Sequence, residues 1–214
     1  MFRTVFIGGT AVALLASAFA PSGGAQSAPG PTEPVTIKLV TVNGSGCRPG
    51  TAKVAVAPDN TAFTVTYSEY LAKAGKGTVL TDQRKNCQLA LDVHTPQGYT
   101  YGIATADYRG YANLAKGAFG TQLANYYFQG MSKTAHRKHR INGPKDDNWQ
   151  VTDRAPVGSV VYKACGDRRN FNINTELRVD AGRADPATTS YIAMDSTDTS
   201  ITTTYHFSWK KCHK

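Results

Sequence analysis

The residues that could do chemistry are scattered along the chain. His94 and His206 stand at polar positions of alternating segments, where an imidazole can act as general base toward a hydroxyl or a water. Asp92, Asp107, Glu176 and Asp195 supply carboxylates, and a glycosidase needs two acids roughly 5–10 Å apart. Spacing along the chain brings no two of them together. Neither a Gly-x-Ser-x-Gly elbow nor a His-Glu-x-x-His pair occurs. Oxidation of all four cysteines would leave no thiol nucleophile. The chain therefore reads more readily as a binding protein than as an enzyme. No catalytic residue, metal ligand set or cofactor is assigned.

Two segments carry the types of residue that hold a polymer. In Asp107-Tyr108-Arg109-Gly110-Tyr111, two aromatics flank an acid and a guanidinium at a glycine break. Tyrosines at a sheet edge can stack on the apolar face of a sugar while Arg and Asp bond its hydroxyls. The competing reading is an Asp–Arg pair that ties down a strand end. Gly143-Pro-Lys-Asp-Asp-Asn-Trp149 reads as a loop in which Asp146, Asp147 and Asn148 offer oxygens and Trp149 a stacking platform. Calcium needs six to eight oxygens, and the spaced acids of an EF-hand are missing, so Asx turns account for the segment more simply.

His136-Arg137-Lys138-His139-Arg140 places five cationic or protonatable residues in a row within a chain of formal net charge +9. That balance suits an anionic wall polymer or acidic glycan. A nucleic-acid groove would interleave aromatics for base stacking, and this run has none. Zinc at His136 and His139 is disfavoured by the flanking cations and the lack of a third ligand. The run reads as a solvated basic loop.

The elements that must position these residues are strands. Phe63-Thr-Val65-Thr-Tyr67, Leu89-Ala-Leu91-Asp-Val93 and Tyr99-Thr-Tyr101-Gly-Ile103 alternate apolar with polar, as do residues 171–179 and 201–209. Alternation also sends Tyr127 to the face opposite Tyr126 and Phe128. Turn signals at Pro58-Asp59-Asn60, Thr95-Pro96-Gln97-Gly98, Asn142-Gly143-Pro144 and Asp195-Ser-Thr-Asp198 separate the runs. Only Ser68–Gly75 has the look of a helical turn. The pattern predicts an all-β domain, an antiparallel β-sandwich or jelly-roll-like fold.

Met1-Phe2-Arg3 leads an apolar run ending in Ala16-Ser-Ala18 and Ala18-Phe-Ala20, the make-up of a secretory signal peptide over residues 1–25. The run is too short to cross ~30 Å of hydrocarbon comfortably. Residues 26–34, with Pro, Ser, Gly and Gln, read as a flexible lead-in. Residues 35–214 then form one β-sandwich domain, extracellular and free of membrane spans. Four cysteines permit three pairings. The simplest, Cys47–Cys87 with Cys165–Cys212, puts one staple in each half of the domain. No two cysteines lie within zinc-cluster spacing.

Asn43-Gly-Ser-Gly-Cys47, Arg84-Lys-Asn-Cys-Gln-Leu89, Asp107-Tyr-Arg-Gly-Tyr111 and Tyr126-Tyr-Phe-Gln-Gly130 form an ordered series. Gly143-Pro144 with Asp147-Asn-Trp149, Asn172-Ile-Asn-Thr-Glu-Leu177 and Met194-Asp-Ser-Thr-Asp198 continue it. The series resembles the domain-of-unknown-function 4360 family, small secreted proteins of filamentous bacteria and fungi. The resemblance covers nearly all of the mature chain and implies a secreted domain of this length with these cysteines. It carries over no functional residue. The expected function is a secreted, non-enzymatic sandwich that binds cell-wall or extracellular polysaccharide. The alternative is a secreted hydrolase acting on polysaccharide or nucleic acid.

Overall fold

The computed structural model describes residues 29–156, 158–194 and 202–213. The expected signal peptide, the start of the lead-in and the Asp195–Asp198 turn lie outside them.

The described residues form β1 (Thr36–Asn43), β2 (Ala52–Val56), β3 (Ala62–Tyr67), β4 (Leu71–Gly75), β5 (Arg84–His94) and β6 (Tyr99–Leu114). These are followed by β7 (Phe119–Phe128), β8 (Ala135–Asn142), β9 (Lys145–Arg154), β10 (Phe171–Asp180), β11 (Thr189–Ala193) and β12 (Thr203–Lys211). A 3₁₀ turn spans Leu80–Asp82. Two antiparallel sheets result: β1-β5-β10-β7-β8, and a larger one ordered β2-β3-β12-β6-β11-β4 with β9 on the other edge of β6. The alternating runs explain the layering. On β10, Phe171, Ile173, Thr175, Leu177 and Val179 are buried while the residues between them face out. On β12, Tyr205, Phe207 and Trp209 close the core against Phe63, Tyr101, Phe128 and Phe171.

Strand β6 organises the larger sheet. One of its edges is shared end to end: β12 pairs with Tyr99–Asp107 and β11 with Tyr111–Asn113. Its other edge carries β9 from Thr105 to Leu114. The changeover from β12 to β11 falls beside Gly110. A Cβ there would stand 2.1 Å from the Ala193 carbonyl oxygen and 2.5 Å from the Trp149 ring. Glycine is what lets all three strands meet.

Both expected disulfides are present, Cys47–Cys87 and Cys165–Cys212, closing separations of 40 and 47 residues. Loop-closure entropy makes each worth about 4 kcal/mol. The buried Asn60 amide donates to the carbonyls of Pro31 and Glu33 and accepts from Val35 N, so residues 31–35 are tied to the core.

Three local expectations are overturned. Leu71–Gly75 is a strand, because Ala72 and Ala74 are buried at period two and pair with β11. The basic run is strand β8, paired with β7. The run from Lys145 to Trp149 is the first half of β9, and only Gly143-Pro144, joined by a cis peptide, makes the turn. In each case small or polar residues hid an alternation that the neighbouring strand completes.

Candidate functional site

The inner faces of β6, β7, β8 and β9 converge on a buried carboxylate. Asp153 on β9 is 5% exposed. Its Oδ2 accepts the Tyr126 hydroxyl at 2.6 Å, and its Oδ1 lies 2.5 Å from His139 Nε2. The Tyr108 hydroxyl in turn bonds that of Tyr126. Burial, then the negative charge or partial charge of neighbours, pushes the Tyr108, Tyr126 and Tyr205 phenols well above their ordinary range. They remain proton donors throughout physiological pH. The adjoining cavity, between Phe128, Phe171, Ile103 and Val161, measures about 60 Å³. Ligand pockets run to about 300 Å³ and above. This space suits a few waters, and the His139–Asp153–Tyr126–Tyr108 chain works as a tie between sheets.

The outer face of the larger sheet is the opposite case. Period two sends Asp107, Arg109, Tyr111 and Asn113 of β6 outward, while Tyr108 and Trp149 are buried. Trp149 covers Gly110 and donates its Nε1–H to the Tyr111 carbonyl at 3.1 Å. Register aligns Lys73 (β4), Tyr191 (β11), Asn113 (β6) and Asp146 (β9) in one cross-strand row, with Tyr111 and Asn148 in the next. The Tyr111 and Tyr191 rings are 6.3 Å apart at 28°. Asp146 Oδ1 accepts from the Tyr111 hydroxyl at 2.7 Å and from Asn113 Nδ2 at 2.8 Å. Those bonds hold the Asp146 carboxyl below its usual range, and the Tyr111 phenol rises correspondingly. Asp147 accepts from Asn148 N. Further along, Asp107 takes the Thr152 hydroxyl at 2.5 Å and His206 Nε2 at 2.9 Å. The hydroxyl bonds the carboxylate and not the imidazole, so no nucleophile–base pair is assembled there.

Of the basic run, His136, Lys138 and Arg140 face out on β8, whereas Arg137 and His139 turn toward the inter-sheet cavity. His136 Nδ1 lies 2.5 Å from Asn125 Oδ1, and the Arg140 guanidinium sits 3.4 Å over the Phe119 ring. His94 lies elsewhere, with Asp92, Lys163 and Asp167 around a cavity of about 370 Å³ beside Cys212. No group of three metal-ligating side chains occurs among the described residues.

Sequence reasoning missed Tyr191, Asn113 and the Asp153 cluster. Tyr191 sits at an outward position between Ser190 and Ile192, both buried, but the strand is only five residues long. It missed Glu176 as an organiser too. That carboxylate accepts the Arg84 Nε–H at 2.6 Å and a bond from Arg178 Nε. Burial raises the Glu176 pKa, but the two guanidinium bonds outweigh it and hold the carboxyl below its ordinary range. A depressed folded value means the unfolded chain takes up the proton first. The stabilisation is thus fully present above the ordinary glutamate range near 4.3 and disappears as pH falls through the folded value. Glu176→Gln is expected to lower stability by about 1 kcal/mol at pH 7. The deficit should vanish near pH 2 in urea titrations of both proteins, and a gap independent of pH would exclude this origin.

A family model named Domain of unknown function (DUF4360) matches residues 33–212. A relative from Arthroderma benhamiae, named "Uncharacterized secreted protein", is 36% identical over 192 residues, spanning 90% of this chain and 77% of its own length. The cryo-EM atomic structure of Broad Bean Stain Virus aligns over 87% of this chain and 92% of that one, at 9% identity and a TM-score of 0.27. That score is too low to bear on fold or function. No helix among the described residues is long and apolar enough to cross a membrane.

Proposed function

The chain belongs to the DUF4360 family, and from that premise we propose that it is a secreted, non-enzymatic sandwich that binds extracellular or cell-wall polysaccharide on the outer face of the larger sheet. The observation that carries the reading is the near-parallel Tyr111–Tyr191 pair, set beside the fixed Asp146 and Asn113 polar groups. Aromatic faces take the apolar side of a pyranose, and neighbouring carboxylate and amide groups take its hydroxyls. The face is open, as a long polymer requires. A leader of signal-peptide make-up directs export, and a secreted relative together with two disulfides agrees with an oxidising destination.

Retention on insoluble chitin, cellulose and peptidoglycan tests this. Salt-resistant retention on one of them is expected, reduced about tenfold by Tyr111→Ala or Tyr191→Ala, since a stacking contact contributes on the order of 1–1.5 kcal/mol. Equal retention of both variants and the parent would remove this face from consideration.

A further inference from the structure

The outer face of the smaller sheet holds a second, chemically different site. Register places Arg84 (β5), Arg178 (β10), Thr121 (β7) and Arg140 (β8) in one cross-strand row. The next row holds Asn86, Glu176, Leu123 and Lys138. Between these rows and the exposed Leu80 lies a groove of about 460 Å³ with Phe119 and Leu123 as its apolar part. Strands are about 4.8 Å apart, so the cations span roughly 14 Å.

We propose that this groove binds an acidic glycan, one bearing carboxylate groups along its length. Three observations select that ligand. First, Arg84, Lys138 and Arg178 line the groove with Asp180, and the register sets Arg140 and Glu176 beside them, four cations against two carboxylates, which leaves an excess of positive charge. Second, the forks are held in place before any ligand arrives. Glu176 grips Arg84 and Arg178, while Arg140 is fixed by Asn142 and the Phe119 ring. Each guanidinium keeps N–H donors that match a carboxylate in the plane. Third, Leu123 gives a sugar ring an apolar place to rest, while Arg140 already caps Phe119, so the aromatic ladder that successive nucleobases would need is missing. This site is independent of the tyrosine face and deepens the polysaccharide reading only in supplying a second, acidic specificity.

The test is titration calorimetry of the full mature chain with oligogalacturonate at low and moderate salt. Arg178→Gln/Lys138→Gln is expected to weaken binding about tenfold or more, and Lys138→Gln alone, whose amine has no partner among the described residues, to weaken it severalfold. Lys53→Gln/Lys210→Gln removes the same charge from the larger sheet and should leave affinity unchanged. Equal losses in the two double variants would reduce the effect to net charge and overturn the site. So would no binding by the parent, or an oligothymidylate that competes as well as the uronate chain. Tyr111→Ala should keep uronate binding, and the Arg178/Lys138 variant should keep retention on neutral polymer. Failure of either site is therefore visible separately.

Discussion

Gly110→Ala is expected to destabilise the domain by about 3 kcal/mol and to lower Tm by about 10 °C for a chain of this size. The added methyl meets the Ala193 carbonyl oxygen at 2.1 Å on one side and the Trp149 ring at 2.5 Å on the other. Neither can retreat cheaply. Ala193 is paired to Tyr111 in β6, and Trp149 is buried with its Nε1–H bonded to the Tyr111 carbonyl. Relief therefore requires separating β11 or β9 from β6. Truncating Trp149 as well should not rescue the variant, because the carbonyl clash remains. Thermal unfolding followed by circular dichroism gives the answer, and a Tm within about 2 °C of the parent would show that the β6–β11 pairing yields easily.

Asp153→Ala should cost a similar amount, about 3 kcal/mol, the upper end of the range for leaving a buried donor without its partner. The loss is larger than one hydrogen bond because three groups depend on this carboxylate. Tyr126 loses its acceptor, His139 loses the anion beside Nε2, and Tyr108 loses the oriented hydroxyl it bonds. Asp153→Asn keeps an oxygen for Tyr126 but faces His139 with an amide, so a smaller loss is expected. Urea unfolding of the pair separates the two cases. A loss below about 1 kcal/mol for the alanine variant would mean that water replaces the carboxylate and that the chain of phenols carries no structural load.

Much of this architecture could be read from residue order. Runs such as Phe171–Val179 and Thr203–Trp209 alternate so strongly that class and inward faces follow from period two alone. Cysteine spacing led to the pairing that is present. Strands β4, β8 and β9 stayed hidden because small, polar or charged residues interrupt their inward faces. Ala72 and Ala74 mark β4, while Asp153 and His139 mark the inner faces of β9 and β8. Hydropathy cannot flag a carboxylate as an inward residue when its partners lie on other strands. The candidate face was legible one strand at a time. Asp107, Arg109 and Tyr111 do share an outer surface with Asp146, but Tyr191 reaches them only through β11 register. Trp149 was conspicuous by type, and the glycine opposite decides its burial.

The place of β8 at the margin of the smaller sheet has a consequence for the protein in concentrated solution. A margin strand offers unpaired amides to any similar margin that drifts past, which is how sheets extend into aggregates. Here the passing copy would bring His136, Lys138 and Arg140 against the same three side chains. Like charges directly across a new pairing are unfavourable. The basic strand thus acts as a colloidal guard, keeping neighbouring molecules apart where backbone pairing would otherwise join them.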